Sequence, residues 1–335
     1  ERFRRQRQMC IRDRIIRDEV NLRIGAEPSL EPYLNQLVLS QDSLKNSVAS
    51  VLASKLNSDA LSSNKIKEFI LDVYNKCDHI EQDLIDDLVF FKDHDPACKY
   101  FSTPILFYKG FQGLATYRAA HCLWNDNRHT MALFFQNRAS EVFGVDIHPA
   151  ANIAGGVMID HATGVVIGET SKIDKNVSIY QGVTLGGKGF EIGDRHPKIK
   201  SGVSIFASST ILGNIVIGKN AKIAAGSLVL KDVDEDVTVA GNPAKEIRDQ
   251  TDKRKTTSSL SISESISSNK ILDIYLSAVS GIIHNIFDPG FAFFATLTAT
   301  AKVDPPETPV IIPSFFANSH DQYIPSLPDT GISSS

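Results

Sequence analysis

Four groups of residues in this chain have the types and spacing for acid–base chemistry on a small charged molecule. Asp146-Ile147-His148, Asp160-His161 and Arg195-His196 are neighbours in the sequence, and Asp95 stands upstream. An imidazole with its ordinary pKa of about 6.5 is a free base near neutrality. With a carboxylate to orient it, such a ring can take the proton of a hydroxyl. Arginine offers parallel donors to a carboxylate, and aspartates meet an ammonium group. Each residue alone reads as a paired turn or surface group, but four clusters around one segment point to a site. His148, His161 and His196 could instead gather as three metal ligands. Arg195 beside His196 would repel a cation, and no closely spaced histidine pair is present, so no metal is expected.

The elements that must hold these residues change character at Gly144. Beyond it, Ile147, Ile153, Ile159, Val165, Val177 and Val183 fall six apart, with only Ser171 out of line. A companion row runs Ile167, Ile173, Ile179, Leu185. The period resumes as Ile199, Ile205, Ile211, Ile217, Ile223, Val229. Neither a helix nor an ordinary strand places an aliphatic residue at every sixth position; a hexapeptide-repeat coil does, each six residues forming one side of a triangular parallel β-helix. The sixteen residues from Val183 to Ile199 are no multiple of six, so residues 185–198 form a glycine-rich loop that leaves the coil. A loop the repeat does not need is a candidate for function. Asp146 precedes Asp160-His161 by fourteen and fifteen residues. That is close to a coil of roughly 18 residues, so the spacing predicts adjacent levels.

Residues 20–144 read as helical. Ser102-Thr103-Pro104 is a helix start with a hydroxyl cap, and Ile105, Tyr108, Phe111, Leu114 and Ala115 continue it at helical spacing. Asn125-Asp126-Asn127 ends it, a second run reaches Gly144, and Asp93-His94-Asp95-Pro96 is a turn. The expected fold is α+β: an N-terminal α-helical oligomerisation domain (20–144), then a left-handed parallel β-helix (145–248). Residues 1–19 carry Arg2, Arg4, Arg5, Arg7, Arg12, Arg14 and Arg17 but also Glu1, Asp13, Asp18 and Glu19. That is too acidic for a transit peptide, and the segment is set aside as non-native or disordered. Residues 249–335 are expected to be a disordered extension. They include a Ser-rich linker and an apolar run, 271–301, that Asp288-Pro289-Gly290 breaks into halves too short to span a bilayer.

Composition sets outer limits. Of 335 residues, 42% are hydrophobic and 22% charged, with a net charge of −4, which excludes wholesale disorder and asks for neither nucleic acid nor a membrane surface. Cys10, Cys77, Cys98 and Cys122 lie far apart with no CxxC, so no disulfide scaffold is expected and a reducing, cytoplasmic location fits; a plastid or mitochondrion remains compatible.

DPACKYFSTPILFYKGFQGLATYR, VDIHPAANI, MIDHATGVVIGET, QGVTLGG, GDRHPKI and ILGNIVIG together make residues 25–248 resemble the serine acetyltransferases. The resemblance implies acetyl transfer from acetyl-CoA to the hydroxyl of L-serine for cysteine synthesis, with no resident cofactor. It implies His161 as general base and Asp146 as its partner. Asp95 and Asp160 would hold the substrate ammonium, Arg195 its carboxylate, and His196 would line the hydroxyl pocket. By matching position, Gly187, Ala207 and Lys222 would contact coenzyme A, although Phe206-Ala207-Ser208-Ser209 departs from the family's more Gly/Ala-rich pattern. A homotrimer, or a dimer of trimers, is implied, with sites between neighbours. Many members bind O-acetylserine sulfhydrylase through a terminal isoleucine; this sequence ends Gly331-Ile332-Ser333-Ser334-Ser335, so that complex is not expected. An acetyltransferase for another hydroxyl substrate and a non-catalytic repeat scaffold remain the alternatives. Asp95 with Arg195 favours an amino acid, because a sugar has neither charge to meet.

Overall fold

The computed structural model describes residues 2–190 and 192–247. The expected extension 249–335 lies outside the described residues. The helices are α1 (Arg2–Ala26), α2 (Glu31–Leu34), α3 (Leu44–Leu56), α4 (Ser63–Lys76), α5 (Ile80–His94), α6 (Ser102–Phe107), α7 (Lys109–Asn125) and α8 (His129–Phe143). Gly144 ends α8 in the left-handed conformation (φ 67°), and the first strand starts at the next residue.

Three expectations about this half need correction. The segment 1–19, set aside as non-native or disordered, is not disordered where it is described: it is helical from Arg2 on as part of α1. Ile16 and Val20 are buried, and Arg17 donates to the carbonyls of Leu39 (2.8 Å) and Gln41. Arginine-rich composition hid a helix whose apolar contacts fall on one narrow stripe. The helix expected from Ser102 through Asn125 is two helices, α6 and α7, separated at the extended residue Tyr108. The cap of α6 is not the local hydroxyl. Glu19 accepts from the backbone N–H groups of Phe101 (3.1 Å) and Ser102 (2.7 Å), so a carboxylate from α1 satisfies these orphan donors. Finally, Cys77 at the end of α4 and Cys122 in α7 form a disulfide across 45 residues of sequence. Helix packing brings them together, which spacing along the chain could not reveal.

Beyond Gly144 the chain winds as a coil of three parallel sheets. Sheet I holds β1 (Val145–Ile147), β4 (Val165–Ile167), β7 (Thr184–Gly186), β10 (Thr210–Leu212) and β13 (Leu228–Val229). Sheet II holds β2 (Asn152–Ile153), β5 (Lys172–Ile173), β8 (Lys198–Ile199) and β11 (Val216–Ile217). Sheet III holds β3 (Val157–Asp160), β6 (Val177–Tyr180), β9 (Ser204–Ile205), β12 (Lys222–Ile223), β14 (Thr238–Ala240) and the antiparallel β15 (Lys245–Glu246). The aliphatic residues of the six-residue rows are buried inside. Helices and coil share one continuous apolar core.

The register explains why Ser171 interrupts the pattern. Val145 pairs with Val165 and Val157 with Val177, twenty residues apart, whereas Val166 pairs with Thr184, eighteen apart. Two extra residues therefore sit between β3 and β4, at the corner Asp160–Gly164. The true inward row is Ile147, Ile153, Ile159 and then Ile167, Ile173, Ile179, Leu185; the register jumps at the corner. The next coil is longer again: Thr184 pairs with Thr210, twenty-six apart, because the 185–198 loop leaves the coil there.

Candidate active site

The two inserted residues lie where the chemistry was expected. Asp160 ends β3, and His161 and Ala162 turn the corner at φ 56° and 62°, in the left-handed region that side chains rarely adopt. Asp160 lines a cavity of about 370 Å³ together with His161, Asp95, Phe107 and Tyr108. The His161 ring is mostly exposed, with its Nε2 3.7 Å from the Asp160 carboxylate. Asp95 arrives from the residue after α5, its carboxylate accepting from the N–H of Ala97 (2.8 Å). α7 closes the floor at Gly110: a Cβ there would stand 1.8 Å from the carbonyl oxygen of Ile159, so only glycine admits this approach.

Tyr108 was not singled out from the sequence. Burial and the nearby Asp95 carboxylate push its phenol up to about 12, so it remains a neutral donor in the cavity. Cys98, buried near Asp95, has its thiol pushed up to about 11, chiefly by burial and then by Asp95, which makes it a poor nucleophile.

Arg195 and His196 sit elsewhere, at the corner between sheets I and II. His196 packs against Gly168, where a Cβ would stand 2.1 Å from the ring. The backbone N–H of Thr170 donates to His196 Nδ1 (3.1 Å). Burial, with Arg195 beside it, lowers the pKa of this ring. With Nδ1 accepting, the neutral ring carries its proton on Nε2 and acts as a donor. The Thr170 hydroxyl oxygen accepts from the N–H of Arg195 (3.0 Å) and of His196 (3.1 Å), which fixes the loop's return to the coil. Arg195 donates to Glu169 (2.6 Å) and to the carbonyl of Gly193 (3.1 Å). Its guanidinium holds the Glu169 carboxyl below the usual range. Glu169 and Thr170 went unnoticed in the sequence because nothing local marks them; the returning loop makes them partners.

Asp146 does not pair with His161 within the chain. It lies on β1, and Gln136 donates to it (2.7 Å). Its carboxylate acts on the field of His148, at the same corner as Glu169 and Arg195. Fourteen residues of separation is not one coil here, because the coil spanning this corner takes twenty. Among the coenzyme candidates, Gly187 lies against the Arg195 side chain. Ala207 is at the His161 corner two levels along, below a Tyr180–Phe206 ring stack at 5.3 Å, and Lys222 is exposed on β12. One chain thus carries two clusters at two corners. Gly164–Gly168 separates them, roughly 13 Å at about 3.3 Å per residue.

A triangular coil of hexapeptide steps with an imidazole and carboxylates at its corners defines a class, the hexapeptide-repeat transferases. Residues 196–231 match the bacterial transferase hexapeptide (six repeats) model, and residues 14–116 match the serine acetyltransferase N-terminal model. Serine acetyltransferase 2 of Arabidopsis thaliana is 50% identical over 233 residues, covering 70% of this chain and 72% of that protein. The crystal structure of Neisseria gonorrhoeae serine acetyltransferase in complex with serine superposes with a TM-score of 0.69 at 47% identity, over 71% of this chain and 97% of that one. A serine acetyltransferase complex with CoA gives 0.69 at 43% identity, over 71% and 100%. This chain belongs to the serine acetyltransferase family.

Proposed function

We propose that this chain transfers acetyl from acetyl-CoA to the hydroxyl of L-serine, at sites that two copies complete together. The observation that carries this reading is the convergence of Asp95, Asp160 and His161 on one cavity. Two carboxylates there suit an ammonium, and the imidazole is open to a hydroxyl. The carboxylate of an amino acid needs a cation; among the described residues this corner offers Lys109 alone, whose Nζ donates to Thr163. Arg195 lies at the other corner, so a trimer that sets the His161 corner of one copy against sheet I of the next would supply Arg195, His196 and Asp146 of the partner subunit. Ala207 at the first corner and Gly187 at the second would then flank one pantetheine arm.

In the reaction, His161 accepts the serine hydroxyl proton as the oxygen attacks the thioester carbonyl carbon. The new C–O bond forms, the C–S bond breaks, and the imidazolium returns the proton to the departing thiolate. His196, carrying its proton on Nε2, donates to oxygen and does not compete as base. Asp146 of the partner subunit stabilises the imidazolium. No acyl-enzyme is required when both substrates are held together.

The test measures thiol release from acetyl-CoA with serine, homoserine or a hexose as acceptor, for wild type and His161→Ala. Release with serine, reduced on the order of 10²–10⁴-fold in kcat by the substitution, is expected for loss of a general base. Equal release with the hexose, or undiminished kcat in the variant, overturns the reading.

A further inference from the structure

Asp87 and Arg118 are fully buried, charged, and unused by the chemistry above. Arg118 Nε and Nη2 donate to the two oxygens of Asp87, each at 2.8 Å. Asp87 Oδ1 also accepts from the backbone N–H groups of Gly156 (2.9 Å) and Val157 (3.0 Å), the start of β3. Arg118 completes its donors on the carbonyls of Ile153 (3.3 Å) and Ala154 (3.0 Å), with Asp83 3.4 Å away. Burial lifts the Asp87 carboxyl to about 6, while Arg118 and the backbone N–H donor of Val157 pull the other way.

The placement of this joint gives it a role beyond cohesion. α5, α7 and β3 are tied together here; on the way to the cavity α5 and α7 pack again where Phe91 meets Phe111, and Phe91 also lies against Tyr108 of the cavity wall. From Asp87 to Asp95 is eight residues, roughly 12 Å where helical. From Arg118 back to Gly110 is again eight residues along α7, the same rise. From Val157 to Asp160 is three strand steps, roughly 10 Å. Three rods of similar length leave one knot and end at one site. A tilt of α5 at the knot therefore moves Asp95 relative to Asp160.

We propose that the Asp87–Arg118 pair is a positioning device that sets the gap between Asp95 and the Asp160–His161 corner, and so the fit of the substrate's ammonium group. This rests on the serine reading above. The coenzyme candidates Gly187, Ala207 and Lys222 hang on later coils and are not tied to the knot.

The test is kinetic, on the full chain in its native assembly, with size and far-UV dichroism checked for each variant. Asp87→Asn keeps an oxygen for the two N–H groups and removes the charge. Arg118→Lys keeps the charge and loses the fork. Asp83→Asn alters the same network without touching β3. Asp87→Asn and Arg118→Lys are expected to raise the KM for serine on the order of ten-fold while the KM for acetyl-CoA stays within about two-fold, since misplacement of a binding group by an ångström is costly. Asp83→Asn is expected to leave both near wild type. A folded Asp87→Asn or Arg118→Lys with an unchanged KM for serine, or with both KM values raised alike, overturns the proposal. If Asp87→Asn does not assemble, Arg118→Lys decides by the same criterion. A wild-type chain that does not acetylate serine would instead defeat the reading on which the proposal stands.

Discussion

The two clusters place different demands on their residues. Arg195 is held by Glu169, so in the proposed reading a substrate carboxylate would share or replace that partner. Arg195→Lys would keep the charge but lose the parallel donors. The expected result is a rise in the KM for serine equivalent to about 1–3 kcal/mol, with the KM for acetyl-CoA little changed, measured by varying each substrate in turn. His196 offers a second measurement. Its pKa is lowered in the folded chain by burial and by Arg195. The unfolded ring takes up a proton near about 6.5, while the folded ring resists it. Stability from this group is therefore full above that value and is lost as pH falls from there through the lowered folded pKa. His196→Asn is expected to flatten the decline of the unfolding midpoint as pH falls below about 6.5. A variant whose midpoint follows pH as steeply as wild type would place the sensitivity in His121 or His148, whose pKa values burial also lowers.

At the scale of elements, the cavity wall from Asp95 to Tyr108 depends on α1. Glu19 caps the start of α6, while Arg23 donates to the hydroxyls of Ser102 (3.1 Å) and Thr103 (2.5 Å) and lies over the rings of Tyr100 and Phe107. Phe107 lines the cavity. Removing the Glu19 carboxylate leaves two helix-end N–H groups unsatisfied, at a cost of about 1–3 kcal/mol. Glu19→Ala is expected to lower stability by that order in a denaturant titration and to raise the KM for serine several-fold. A variant with lower stability and unchanged KM would mean that α1 supports the fold without shaping the wall.

At the scale of the whole molecule, the separation of the two clusters makes a prediction that no single-copy site shares. If the His161 corner of one copy works with the Arg195 corner of the next, His161→Ala and Arg195→Ala chains are each inactive alone but complement when assembled together. With equal random mixing, an intact His161 corner meets an intact Arg195 corner in about one half times one half, or about a quarter, of the interfaces. Activity near that fraction after co-refolding, against almost none in either parent, is the expected outcome. No recovery in mixed assemblies of confirmed composition would put all the residues in one copy.

How much of this was legible beforehand divides along a physical line. The coil could be read from the sequence because its period is local: each six-residue step buries its own aliphatic side chain, so Ile199 through Val229 repeat without a miss. The candidate groups Asp160-His161 and Arg195-His196 stood out as well, because they are polar groups that the repeat does not need. What the sequence left open was everything that depends on where one turn lands relative to the next. A two-residue insertion between β3 and β4 shifts every later rung and breaks the row at Ser171, and helix packing rather than the coil gives Asp146 its partner, Gln136 of α8. The capping of α6 from α1 and the meeting of Cys77 with Cys122 likewise join parts of the chain 45 to 83 residues apart. Side-chain type and period are properties of short stretches, but such contacts arise only from the summed geometry of all the residues between them.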